Sequence, residues 1–278
     1  MKTFDLNFVA VGPQRTGSTW LYQLLAHHPA ICFPKDVKET MFFDRYYEKG
    51  LSWYTAHFTH RSEEQLCGEI APTYFDVDVV PTRLHQLNPE CRIMINLRNP
   101  VFRTLSLYRH HLSKGRISGS FEEAISQMPR IIDSGKYAQH IPRWLDKFGI
   151  EQVKFLLLDE IESTPETVLK SVSNFLGVAE IALPLEKNQR VNAATMPRFP
   201  LLAKAAAQLA TGLRANRLHK VVEFGKSLGL KQVYTGGEQQ MPGFTASDRF
   251  WLKSQYEEDI VFVEKLLGRD LSAWRQTE

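Results

Sequence analysis

Residues 12–20 read GPQRTGSTW, a glycine-bracketed turn of the kind that holds an anion on backbone N–H groups. In the commonest phosphate loop, G-x-x-x-x-G-K-[ST], a lysine follows the second glycine. Here Gly12 and Gly17 keep that spacing, Ser18 stands in the lysine's place, Thr19 follows, and the nearest cation, Arg15, lies inside the loop. Backbone N–H groups from Gln14 through Thr16 to Thr19 would converge on one anion at a helix start, where the helix dipole favours negative charge. Arg15 adds a planar fork of donors, and Ser18 and Thr19 add hydroxyls. A second set lies in LRNPVFRTLSLY (97–108), where Arg98 ends a strand and Ser106 follows on the next helix. An arginine and a hydroxyl at the carboxyl edge of a sheet suit a second phosphate. Taken by spacing alone, the same pair also reads as a surface arginine and a helix serine.

The surrounding chain supplies the elements such a loop needs. FVAVG (8–12) is a short apolar run ending in glycine, a buried first strand. The run 18–27 reads as a helix with Trp20, Leu21, Leu24 and Leu25 as its apolar stripe. CRIMINLRNP (91–100) is a second strand, and Pro100 opens a helix through VFRTLSLYRHHL. VKFLLLDEI (153–161) reads as a third strand, followed by a helix from Pro165 to Leu176 that Gly177 stops. The segment 250–268 is a long amphipathic helix, and 188–243 is less regular. This alternation predicts an α/β fold: a P-loop-type parallel β-sheet flanked by helices on both faces, in a single domain over 1–278.

Bulk properties limit the partners. Of 278 residues, 43% are hydrophobic and 23% charged, and the formal charge of +3 suits an anionic ligand without arguing for nucleic acid. No stretch approaches a membrane span, and the N-terminal apolar patch is interrupted by Asp5 and Asn7, unlike a signal peptide. Cys32, Cys67 and Cys91 show no close pairing and no metal-ligand spacing, which predicts reduced thiols, a cytoplasmic setting and no bound metal. Oligomeric state is left open.

A lysine-free loop followed by R-x7-S after a later strand resembles the sulfotransferases that use 3′-phosphoadenylyl sulfate (PAPS). KETMFFDRYYEKGLSWY (38–54) is similar to the segment K-E-x-x-F-F-D…Y-x-x-G-x-x-W-Y of heparan sulfate sulfotransferases, and GEIAPTYF (68–75) to their E-K-x-P-x-Y-F segment. SGKYAQHIPRWLDKFG and DLSAWRQ resemble stretches of bacterial relatives. The resemblance covers most of the chain. It implies PAPS as co-substrate, with 3′-phosphoadenosine 5′-phosphate (PAP) as product, and a small-molecule or glycan acceptor.

Roles follow residue by residue. The loop from Gln14 to Thr19 would hold the 5′-phosphosulfate, Arg98 and Ser106 the 3′-phosphate, and Trp20 would stack on adenine. Glu39 matches the glutamate that serves as general base in the heparan-type enzymes, with Arg15 and Lys38 beside the reacting group. A kinase-type lysine reaches the β- and γ-phosphates of a triphosphate; PAPS has one 5′-phosphate bearing the sulfuryl group, which a cation within the loop can flank. Arg15 departs from the usual family lysine in shape, not in charge.

Two further departures stand out. The family's catalytic lysine falls at Ile70, so Lys38, Lys35 or another basic residue substitutes, or the acceptor chemistry differs. The K-G-R pattern of the 3′-nucleotide loop is absent, and NAATMPRF (192–199) offers Arg198 in its place. Aryl and steroid sulfotransferases use a histidine that would fall at 69–75, where none occurs; His27, His28, His110 and His111 read as surface residues. The competing readings are a P-loop kinase and a non-catalytic nucleotide-binding protein.

Overall fold

The computed structural model describes residues 4–183, 200–215 and 244–276. Arg198 and the NAATMPRF stretch lie outside the described residues. The chain divides into two compact units, Met1–Arg98 with Tyr137–Val191 and Asn99–Lys136 with Asn192–Glu278.

The first unit holds a single five-stranded parallel sheet, in the order β2-β3-β1-β4-β5. Its strands are β1 (Phe8–Gly12), β2 (Ile31–Cys32), β3 (Leu66–Ile70), β4 (Arg92–Leu97) and β5 (Val153–Leu157). All five residues of β1 are buried, as a continuous apolar run in a central parallel strand requires. Phe8 pairs with Gly68 on one side and Arg92 on the other. Alternate side chains serve opposite faces. Phe8, Ala10, Ile70, Met94 and Leu156 pack with Leu21, Leu24 and Leu25 of α1 (Ser18–Leu25) and with Val168, Leu169, Val172 and Leu176 of the helix Pro165–Leu176. The intervening Val9, Ile93 and Ile95 are equally buried. Gly177, at φ 69°, ends Pro165–Leu176 as expected.

The sheet differs from the sequence expectation in three places. The third strand stops at Leu157, and Leu158–Ser163 is helical. Asp159 and Glu160 sit in that helix's first turn, where the dipole favours acids, and Ile161 joins the core. Strands β2 and β3 were not foreseen; each is short, and β3 begins in a mixed polar stretch. They bring Cys32 and Cys67 opposite one another as register partners, both free and in side-chain contact, so the thiols do pair in space.

The second unit is built on the helix Pro100–Ser113, whose start is fixed by Asn99. The Asn99 side-chain oxygen accepts from the N–H groups of Val101 and Phe102, and its amide donates to the Trp274 carbonyl at 2.8 Å. Val101, Tyr108 and Leu112 pack with Phe121, Ile131, Phe244, Leu252 and Tyr256. The last long helix spans Ala246–Leu267, starting earlier than expected because Thr245 and Asp248 form a reciprocal cap. Among the described residues, no helix is long and apolar enough to cross a membrane.

Candidate active site

The chain leaves β1 toward β2 on one side of the sheet and leaves β4 toward β5 on the other. The carboxyl ends of β1 and β4 therefore flank the point where strand order reverses, the usual ligand crevice of an open parallel sheet. The loop 12–19 follows β1 there, and Asn96 and Arg98 stand at the end of β4.

Backbone geometry shapes the loop as an anion cradle. Arg15 (φ 74°) and Gly17 (φ 92°) are both left-handed and flank Thr16. Alternation of that kind curls successive N–H groups toward one point. For a non-glycine residue such as Arg15 the conformation is costly and is held by its surroundings. Arg98 Nη1 donates to the Arg15 carbonyl at 3.3 Å, and Asn96 Nδ2 to the Thr16 carbonyl at 3.4 Å. In a trans peptide the C=O and the next N–H point opposite ways. Tying those two carbonyls to β4 thus turns the N–H groups of Thr16 and Gly17 away from it. Thr16 Oγ1 donates to the Pro13 carbonyl at 2.7 Å, so this buried hydroxyl braces the turn. Gly12, at φ 101°, has no room for a side chain, because a Cβ would sit 2.6 Å from Pro72 Cα.

Charges gather at the start of α1. Lys38 Nζ donates to Ser18 Oγ at 3.3 Å and lies 3.4 Å from Glu39 Oε1. Lys38 and Glu39 side chains are each 22% exposed, so the pair is shielded yet reachable. Burial lowers the Arg15 pKa, and neighbouring Arg98 lowers it further. Burial likewise lowers that of Lys38, with Glu39 opposing and Arg15 reinforcing the drop. Arg98 and Lys38, from two other segments, thus each meet the charge of Arg15, and a bound anion relieves that repulsion.

Gln14, Thr19 and Trp20 are half-buried on the same loop and first helical turn. Trp20 packs against the core cluster beside α1. Ser106 belongs to the second unit, half-buried on Pro100–Ser113. His111, expected at the surface, is buried on that helix, while His27 is exposed and bonded to the Gln23 carbonyl. Ile70 is fully buried among Phe8, Leu21 and Met94, so its side chain serves the core. Lys35 is exposed; Lys38 is the alternative lysine that contacts the loop. Among the described residues, no group of three or more His, Cys, Asp or Glu could hold a metal.

Sequence reasoning passed over Asn96 and Glu69. Asn96 looks like one more polar residue in CRIMINLRNP; polarity inside an apolar strand was its only signal. Glu69 is completely buried on β3, and its carboxylate accepts from the backbone of Thr40, the residue after Glu39.

Fold and loop together define a P-loop-type α/β protein whose glycine loop lacks the usual lysine and is flanked by cations. The profile of the sulfotransferase domain family matches residues 5–195, and the chain belongs to that family. A bifunctional heparan sulfate N-deacetylase/N-sulfotransferase 1 of Caenorhabditis elegans is 32% identical over 63% of this chain and 22% of its own length. Heparan sulfate glucosamine 3-O-sulfotransferase 6 of Homo sapiens is 28% identical over 87% of this chain and 72% of its own length. The chain therefore spans less than a third of the bifunctional relatives it matches, 31% of the human N-deacetylase/N-sulfotransferase 3. The crystal structure of a sulfotransferase from Alicyclobacillus acidocaldarius superposes over 98% of this chain and 100% of its own, at TM-score 0.69 and 24% identity, and shares the fold.

Proposed function

We propose that the protein moves a sulfuryl group from PAPS to a hydroxyl of a glycan or another small acceptor. One observation carries this reading: Lys38 meets Ser18 at the start of α1, near enough to Arg15 to feel its charge, with the Glu39 carboxylate 3.4 Å from the same lysine. Cations beside the loop suit a 5′-phosphosulfate, and a half-shielded carboxylate next to them suits a base.

In the transfer, the acceptor oxygen attacks sulfur and the bond from sulfur to the bridging oxygen breaks. The acceptor's proton passes to Glu39, and PAP leaves with the electron pair. Arg15, Lys38 and the N–H groups of Thr16 and Gly17 stabilise charge on the sulfuryl and bridging oxygens, with Gln14, Ser18 and Thr19 completing the cradle. Trp20, Arg98, Ser106 and Arg198 keep their motif-based assignments to adenine and the 3′-phosphate. No metal enters these steps. A glycan acceptor is supported by the names of the relatives, which act on heparan sulfate. A cytoplasmic setting belongs to the same proposal and rests on the three free cysteines.

The test is Glu39→Gln, assayed with labelled PAPS against a panel of desulfated heparan sulfate, lipid and phenol acceptors in the presence of a chelator. Wild-type protein is expected to label one acceptor class. The variant should lose roughly 10²–10⁴-fold in turnover while keeping PAP affinity. Turnover near wild type would remove Glu39 as base. ATP with magnesium stabilising the protein more than PAP would favour a kinase.

A further inference from the structure

We propose that Glu69 is a positioning residue, whose buried carboxylate clamps the Thr40 backbone and so fixes where Lys38 and Glu39 stand beside the phosphate loop. The inference rests on the sulfotransferase reading above and extends it to a residue that touches neither nucleotide nor acceptor.

Glu69 is wholly buried at the end of β3. Its Oε1 accepts from Thr40 N at 2.7 Å and from Thr40 Oγ1 at 2.6 Å. Its Oε2 accepts from Tyr54 OH at 3.0 Å, and Tyr74 OH lies 3.3 Å from both oxygens. Two of the donors are themselves tied to the segment that follows Glu39. Thr40 Oγ1 accepts from Phe42 N at 3.2 Å, and Tyr74 OH accepts from Phe43 N at 3.3 Å. Between them Met41 takes a left-handed φ of 55°, a conformation a side chain adopts only when held there.

The Thr40 and Tyr74 hydroxyls therefore spend their protons on Glu69 and lone pairs on the 42–43 backbone. Such a network is complete only around an ionised carboxylate, because a protonated one cannot accept from every donor at once. Two residues upstream of this turn, Lys38 meets Ser18, so any shift of Thr40 is passed to the loop contact. Burial raises the Glu69 pKa to about 7, against the lowering effect of Thr40 and Tyr54 and with the help of Asp44. Among the described residues, Tyr54, Tyr74 and Asp44 are titratable groups that act on it. The clamp thus loosens as pH falls below neutrality.

The experiment measures PAP release from PAPS with desulfated heparan sulfate present, so that transfer to glycan or to water is counted alike. Glu69→Gln keeps the shape but replaces one acceptor oxygen with a donor. It is expected to lower kcat by about 10²-fold, the scale of a small misplacement of reacting groups, with faster amide exchange at Thr40. Combined with Glu39→Gln the two losses should be less than multiplicative, since part of the Glu69 effect is carried by the Glu39 carboxylate. Tyr54→Phe, a milder change should Glu69→Gln fail to fold, is expected to move the acid limb of the kcat profile to higher pH. Wild-type kcat in folded Glu69→Gln, full additivity with Glu39→Gln, or an unmoved acid limb in Tyr54→Phe would overturn the clamp. The base reading fails separately: Glu39→Gln active and Glu69→Gln impaired removes the base and keeps the clamp, and the reverse result keeps the base and removes the clamp.

Discussion

The ammonium of Lys38 lies 3.3 Å from the hydroxyl of Ser18, the residue that replaces the lysine of an ordinary phosphate loop. The positive charge missing at position 18 is returned from a segment twenty residues downstream. The same ammonium reaches Glu39 at 3.4 Å, so one group joins the anion cradle to the proposed base.

Lys38→Met keeps most of the stem's volume and removes the charge. Losing a charge-assisted hydrogen bond should cost about 1.5–3 kcal/mol of PAPS binding, tenfold to roughly a hundredfold in Kd. Calorimetry checks this. An unchanged Kd would restrict Lys38 to its pairing with Glu39.

Arg98→Ala separates two uses of one guanidinium. Arg98 braces the Arg15 carbonyl, and its motif assigns it to the 3′-phosphate. If the assignment holds, PAP affinity should fall at least about tenfold more than AMP affinity. Equal losses for both nucleotides would leave Arg98 as a brace of the loop alone.

Ile70→Lys restores the family's lysine at its sequence position. Ile70 is fully buried in the core cluster of Phe8, Leu21 and Met94, so the new ammonium would be buried without a partner. A cost on the order of 3 kcal/mol or more is expected, read as a fall in Tm with no gain in turnover. Higher turnover at undiminished stability would show that position 70 can reach the reacting group.

Glu69 should also leave a mark on stability against pH. Its pKa of about 7 in the folded protein exceeds that of an unfolded glutamate. The folded state therefore holds the extra proton, and its contribution is full below the unfolded pKa and lost as pH rises through about 7. Wild-type protein should lose on the order of 3 kcal/mol between the two limits relative to Glu69→Gln. Denaturant titrations of both proteins at pH 4.5, about 6 and about 8 test the sign. A wild-type curve parallel to the variant's would refute it.

Much of the scaffold was legible because it is local. FVAVG, the glycine loop and the stripe of Leu21, Leu24 and Leu25 declare a strand, an anion turn and a helix within one short stretch. Pro100 and Gly177 punctuate their helices by fixed backbone preferences. The short strands β2 and β3 were not legible, since pairing partners supply what their own residues lack. The site divides the same way. Arg15, Lys38, Glu39 and Arg98 are polar residues in or near recognisable motifs. Asn96 and Glu69 also lie in quoted segments, Glu69 opening the E-K-x-P-x-Y-F match, but they act through burial and through bonds to backbone far off in sequence, and neither property is written in residue type. Cys32 and Cys67 show the same limit, for only the sheet register makes them neighbours.

The close approach of Gly12 to Pro72 bears on protein engineering. The loop's first residue and the turn after β3 are fitted surface to surface, so the two motifs are a single transferable part. A chimaera that carries GPQRTGST into another parallel-sheet scaffold without APTYF would meet a foreign side chain where Pro72 belongs. Recombination crossovers in this fold should therefore fall outside 12–75, with both stretches inherited from one parent.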